Sequence, residues 1–162
     1  MPTSPLHTIL GSTGNIGTAL AKDLNRYTDN IRLVSRNPSK INPKDQLMKA
    51  EFLNPAEVDA AVAGSDTVYL VAGITYKASI WQEQWPVIMK NVITSCKKHS
   101  AKLVFFDNMY CYDPGHVGHL TENSPVNPQS QKGKVRAEIA QMVLDEIKGG
   151  KLTAMIVKSA DF

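Results

Sequence analysis

Gly11-Ser12-Thr13-Gly14-Asn15-Ile16-Gly17 is the stretch on which the fold turns. Three glycines at a spacing of three follow a short apolar run, Thr8-Ile9-Leu10, and open a segment that sets Ile16, Leu20 and Leu24 on one helical face. Gly11 would turn the chain sharply out of a strand. Gly14 would let the backbone approach a pyrophosphate with no Cβ in the way, and Gly17 would let the helix pack close against the sheet. N–H groups freed at the helix start, together with the positive end of its dipole, attract phosphate. With Ser12, Thr13, Asn15 and Ile16 between them, the glycines read as a phosphate-binding loop at a strand-to-helix junction.

Outward from that loop, short β-rich runs alternate with helical patterns. A helix is expected from about Asn15 to Tyr27. Ile31 to Ser35 reads as a strand closed by Asn37-Pro38, and Gln46 to Phe52 as a weaker one. Asn54 is a good N-cap, with Pro55 at the first helical position and Glu57 at the third, for a helix to about Ala63. Asp66 to Ala72 shows little polar alternation, the mark of a strand buried on both faces. A helical pattern spans about Ile80 to His99, with Pro86 expected to start or kink a helix there, and Lys102 to Phe106 is another buried strand. A loop from Asp113 to about Pro128 leads to a helix from Gln129 to Lys148, stopped by Gly149-Gly150, and Leu152 to Val157 is a last strand. About six strands interleaved with helices predict an α/β protein: a three-layer, doubly wound parallel sheet covered on both faces, in one domain over residues 1–162.

Ser35-Arg36 ends the second strand about twenty residues beyond the glycine loop. A site built for NAD places Asp or Glu there to accept from the ribose hydroxyls. A hydroxyl and a guanidinium suit the 2′-phosphate of NADP instead, so NADP is expected as cofactor, with NAD the alternative.

The 162 residues are 43% hydrophobic and carry 18 Lys+Arg against 15 Asp+Glu, a net charge of +3, far from the basic stripe of a nucleic-acid binder. The longest apolar runs are too short to span a membrane. Met1 to His7 lacks the layout of a secretory signal. Two cysteines, Cys96 and Cys111, are too few for a disulfide framework and read as buried thiols of a cytoplasmic protein. The expected partner is a small-molecule substrate, with neither nucleic acid nor membrane, and a homodimer is compatible with the sequence.

Gly11 to Gly17, Asp66-Thr-Val-Tyr-Leu-Val-Ala-Gly73, Asn91-Val92, Phe105-Phe-Asp-Asn-Met-Tyr-Cys-Tyr112 and Lys132-Gly-Lys-Val-Arg-Ala-Glu138 occur in that order. Together they resemble the NAD-dependent epimerase/dehydratase family, among the extended and atypical short-chain dehydrogenase/reductases, from about Ile9 to Phe162. The resemblance implies a Rossmann-type sheet with NAD(P) at the carboxyl ends of its strands. By position, Gly11, Ser12, Thr13, Gly14, Asn15, Ile16 and Gly17 would hold the pyrophosphate, and Ser35 and Arg36 the adenosine ribose or its phosphate. Phe52 would lie near adenine, and Val71, Ala72 and Gly73 would line the cofactor beyond it.

Relatives of this kind carry a Tyr-x-x-x-Lys pair on the helix after the fifth strand, the lysine holding the nicotinamide ribose and lowering the tyrosine's pKa. Matching Lys134 to that lysine puts Ser130 in the tyrosine's place, and a shift of two residues either way puts Pro128 or Lys132 there. The family's Ser/Thr after the fifth strand falls on Asn108, whose amide can donate to a carbonyl oxygen. Tyr110 or Tyr112 would be the acid from the neighbouring strand end. The resemblance thus implies hydride transfer on a small sugar-like or carbonyl substrate. Its alternative, favoured by the missing tyrosine, is a non-catalytic NADP(H)-binding module that senses redox state. Lys158 to Phe162 resembles the entrance to the family's substrate-binding segment, so a C-terminally truncated chain is expected.

Three further features stand out. Asp113, His116, His119 and Glu122 lie within ten residues without an established zinc spacing, so no metal is expected. Trp81 and Trp85, at i and i+4, read as core or interface residues or as an aromatic wall of the substrate cleft. Lys132, Lys134 and Arg136 crowd a helix start, which is unfavourable for the dipole and makes more sense beside bound phosphates or an anionic substrate.

Overall fold

A computed structural model describes residues 4–160; Met1 to Thr3, Asp161 and Phe162, and the expectations resting on them, lie outside that range. Six strands, β1 (His7–Leu10), β2 (Ile31–Ser35), β3 (Gln46–Lys49), β4 (Thr67–Leu70), β5 (Lys102–Asn108) and β6 (Ala154–Ser159), pair in the order β3-β2-β1-β4-β5-β6. Every pairing is parallel. This is the doubly wound, Rossmann-type order. The chain departs from β1 in both directions, so β1 and β4 are neighbours in space but not in sequence. Above their carboxyl ends lies the crevice in which such sheets bind ligands.

The helices are α1 (Asn15–Leu24), α2 (Pro55–Val62), α3 (Ala78–His99) and α4 (Gln131–Lys148). Strand alternation sends Leu10, Val34, Leu70, Leu103 and Phe105 to one side, where they form one core with α2, α3 and α4. Ile9, Ile31 and Leu33 face the other side, beneath Leu20, Ala21 and Leu24 of α1. The expectation of a sheet covered on both faces is met unevenly: toward β6 the α1 side leaves Met155 and Val157 exposed.

Local chemistry explains most boundaries. Asn54 accepts from the N–H groups of Ala56 and Glu57 and caps α2 as its sequence predicts. Arg32 donates to the carbonyls of Ala61 and Ala63, at the other end of that helix. No helix joins β2 to β3, contrary to strict alternation. Residues 36–45 are held instead by Asp45, which accepts from the N–H groups of Ile41 and Asn42, and by the Asn42 amide donating to the Ala21 carbonyl.

Pro86 does not begin a helix. α3 starts eight residues earlier and runs through it, because Trp81, Trp85, Ile88, Met89, Val92 and Cys96 form one buried stripe that outweighs a single lost hydrogen bond. β5 runs two residues beyond its expected end, which carries Asp107 and Asn108 to the crevice.

Candidate functional site

The glycine loop does what its spacing requires, each glycine by a different contact. Gly11 has φ +101°, and a Cβ on it would stand 2.4 Å from the Ala72 Cα, so β1 and β4 meet there with no room for a side chain. A Cβ on Gly17 would stand 2.4 Å from the Gly11 carbonyl oxygen, so α1 rests directly on the loop. Gly14 is different. Its added Cβ would meet nothing nearer than that same oxygen at 3.6 Å, an ordinary contact, so a side chain is not excluded there by the protein itself. Gly14 is also the N-cap of α1, which has no side-chain cap and no acidic residue in its first turn. Bare N–H groups at the positive end of a helix, beside an open cradle, fit a pyrophosphate.

A cleft of about 530 Å³ opens over this loop. Gly11, Thr13, Gly14, Ser35, Arg36, Phe52, Ala72 and Gly73 all line it. The buried Ser35 hydroxyl has no partner, and Arg36 is exposed at the rim, so both are available to a ribose or its phosphate. Of the remaining expected loop residues, Ser12 is buried with an unpartnered hydroxyl, and Asn15 is exposed in the first turn of α1. Asn37, Glu51, Leu53 and Ile74 line the cleft as well, and the sequence marked none of them.

A second cavity, of about 290 Å³, lies farther along the carboxyl ends of the strands and shares Ala72, Gly73 and Ile74 with the first. Ile16, Val71 and Asn108 line it, as do Tyr76, Trp81 and Trp85 from the loop after β4 and from α3, Tyr110 from beyond β5, and Arg136 from α4. Asn108 accepts from the Tyr110 N–H through its amide oxygen, at 3.1 Å. The Tyr76 hydroxyl donates to the Tyr110 oxygen at 3.3 Å, and the Lys132 ammonium sits 2.9 Å from the centre of the Tyr76 ring. Tyr110 in turn stacks on Trp81. α4 comes this close because Gly133 lies against the Tyr110 carbonyl, where a Cβ would stand only 2.4 Å away.

Beneath the cavity, fully buried Asp107 faces Arg136 Nε at 2.7 Å and Lys158 Nζ at 2.5 Å. Burial pulls the Lys158 ammonium down, but the Asp107 carboxylate and its hydrogen bond more than compensate and hold it above its ordinary value. Burial likewise lowers the Arg136 guanidinium, against the opposing pull of Asp107.

The residues matched to the Tyr-x-x-x-Lys pair lie one turn apart at the start of α4, the Lys134 N–H donating to the Ser130 carbonyl at 3.0 Å, and Ser130 lines a shallow hollow with Tyr76, Tyr110 and Lys132. Lys134 is exposed on α4 and lines neither the cleft nor the cavity, and Ser130 is the N-cap of α4, accepting from the Gly133 N–H at 2.9 Å. At 100° per residue, the face of α4 turned toward Tyr76 and Trp81 carries Lys132 and Arg136. Tyr112 lies outside the inner cavity, beside Lys158 and bridged to Val126. Among the described residues, no three His, Cys, Asp or Glu converge on a point. Asp113 is occupied with Gly115, His116 and Asn127. Both cysteines are buried, and burial pushes the Cys96 thiol up to about 12. No helix among the described residues is long and apolar enough to cross a membrane.

A family model described as NAD(P)H-binding matches residues 11–157. No curated protein matches the chain. Solved structures do match in fold. A mutant uronate dehydrogenase from Agrobacterium tumefaciens complexed with NAD is 18% identical with a TM-score of 0.80, and the match covers 93% of this chain and 58% of that one. The UDP-N-acetylglucosamine 4-epimerase from Bacillus cereus is 12% identical with a TM-score of 0.80, covering 96% and 53%. A monomeric L-threonine 3-dehydrogenase from a metagenome is 16% identical with a TM-score of 0.82, covering 95% and 53%. The chain thus spans little more than half the length of these structures.

Proposed function

The chain belongs to the NAD(P)H-binding family, and from that premise we propose that it serves an oxidoreductase or epimerase reaction, passing hydride between NADP(H) and a small carbonyl or sugar-like substrate. The observation that carries this reading is that the two hollows are neighbours with a common wall. The cleft over the glycine loop and the cavity lined by Asn108 and Tyr110 have Ala72, Gly73 and Ile74 in common. When bound, the nicotinamide supplies or removes hydride; the chain's own groups do the rest.

The α1 N-terminus and the Gly14 backbone hold the pyrophosphate. Ser35 and Arg36 meet the adenosine ribose, and Arg36 with no acid at the end of β2 favours NADP over NAD. Phe52 lines the adenosine end of the cleft. In the inner cavity the Asn108 amide donates to the substrate oxygen. The Tyr110 hydroxyl gives or takes the proton on that oxygen, with the donor Tyr76 and the cation Lys132 stabilising its phenolate form. Trp81 and Trp85 wall the reaction from water.

The outward position of Lys134 and the capping role of Ser130 favour a second reading, a non-catalytic NADP(H)-binding module. Tyr110→Phe separates the two. An enzyme using this phenol loses turnover about a hundredfold or more with dinucleotide affinity unchanged. Unaltered turnover overturns the role of Tyr110, and absence of turnover in the wild type across carbonyl substrates, with NADPH still bound, supports the binding module.

A further inference from the structure

Of the charged side chains, Arg136 lines the inner cavity, and buried hydrogen-bond donors around it lack acceptors. Arg136 shares the buried carboxylate of Asp107 with Lys158, which lines a separate hollow beside Tyr112, so the three groups together carry one net positive charge. The Arg136 side chain is only 6% exposed and is packed against aromatic rings, its guanidinium carbon 4.6 Å from the Trp85 ring and 5.2 Å from that of Trp81. Its Nη1 has no hydrogen-bond acceptor, and neither do the indole Nε1 atoms of Trp81 and Trp85, both nearly fully buried. All three residues line the same cavity. Buried donors without acceptors are costly, and a ligand in the adjoining cavity is one way to supply what is missing.

One chemical group answers both deficits. A carboxylate brings a single negative charge, equal to the excess, and two planar oxygens that match a guanidinium. A phosphate dianion would overcompensate the charge, and a neutral sugar would leave it standing. The remaining walls are apolar and aromatic, and about 290 Å³ is room for a small organic molecule.

We propose that the inner cavity takes a small organic carboxylate, its charged group toward Arg136, Trp81 and Trp85 and its reacting carbon toward Asn108 and Tyr110. The orientation rests on the hydride-transfer reading above; the carboxylate site itself does not.

Trp81 and Trp85 are the chain's only two tryptophans, so intrinsic fluorescence reports directly on this cavity. The test titrates the full chain at neutral pH with three near-isosteric pairs, each an anionic carboxylate and its neutral amide, benzoate and benzamide, lactate and lactamide, glucuronate and glucuronamide, and separately with inorganic phosphate. The expected result is saturable quenching by at least one carboxylate, about tenfold or more tighter than by its amide and than by phosphate. Arg136→Gln should abolish the preference and Arg136→Lys should retain part of it. If circular dichroism shows that either variant does not fold, the wild-type pairs decide alone. Equal response to acid and amide, stronger response to phosphate, or no response to any carboxylate overturns the proposal. A parallel NADPH titration keeps the two readings apart: binding of NADPH without discrimination between acid and amide overturns only the carboxylate site, whereas discrimination without NADPH binding overturns only the dinucleotide reading.

Discussion

The two ends of the crevice are built by opposite means. At the β1–α1 end the main chain forms the site: a positive φ at Gly11, close approaches at Gly11 and Gly17, and the bare N-terminus of α1. At the β5–α4 end side chains form it: an aromatic wall, a cation over a ring, and a buried carboxylate shared by two bases. A backbone site tolerates almost any residue between its glycines but almost no change at them. A side-chain site can exchange its groups while keeping its place, so the same fold hosts different chemistry there. Substitutions should therefore separate along this divide: at the first end stability and affinity are set by shape, at the second by charge.

The largest effect should come from Asp107→Asn. It leaves Arg136 and Lys158 buried beside a neutral amide, and chemical denaturation should show a loss of about 3–5 kcal/mol, the cost of breaking a buried ion pair from one side. The pH dependence should change with it. Lys158 is held above its ordinary 10.5, so its contribution is complete below that pH and fades as pH rises through the folded-state value. That alkaline fade, followed by thermal melts, should be weaker in the variant.

Next comes a pair that tests the backbone end against itself. Gly11→Ala forces a Cβ into Ala72 at positive φ and should cost about 2–3 kcal/mol and abolish NADPH binding. Gly14→Ala makes only an ordinary contact and should cost less than about 1 kcal/mol, yet the proposed pyrophosphate site on the Gly14 backbone predicts that it weakens NADPH about tenfold or more. Equal stability losses at the two positions would remove the distinction between a packing glycine and a binding glycine.

Arg36→Ala should weaken NADPH by about tenfold in a fluorescence titration and NADH by less than about twofold, since only the former carries a 2′-phosphate for the guanidinium. The smallest effect is expected at Lys134→Ala. An exposed lysine outside both hollows should change stability by less than about 0.5 kcal/mol and NADPH affinity by less than about twofold. A large loss there would return the ribose-holding role to Lys134.

Legibility followed the same divide. Glycine spacing is itself the mechanism at the first end, so the loop, the strand before it and the helix after it could be read from seven residues. Ser35 and Arg36, read at the end of the second strand, and Phe52, Ala72 and Gly73, named through the family resemblance, all line one cleft. The β2–β3 connection escaped because Asn42 and Asp45 replace a helix with hydrogen bonds that only folding brings together. Much of the inner-cavity lining, Ile16, Val71, Asn108, Tyr110 and the two tryptophans, was named from the sequence, but the part that α4 contributes was not, because it depends on the rotational phase of that helix. The basic cluster was visible, but which of Lys132, Lys134 and Arg136 turns inward is decided by the contact of Gly133 with the Tyr110 carbonyl. Asp107 lies in sequence just past the expected end of the fifth strand, and only the arrival of α4 and β6 makes it the shared counter-ion.

The most direct measurement is a paired titration of the folded chain with NADPH and NADH, followed by nicotinamide fluorescence, with a thermal melt on the same sample. Saturable NADPH binding, distinctly tighter than NADH, is the predicted result and places glycine loop and Arg36 in one site. A chain that melts cooperatively yet binds neither nucleotide would contradict the account at its centre.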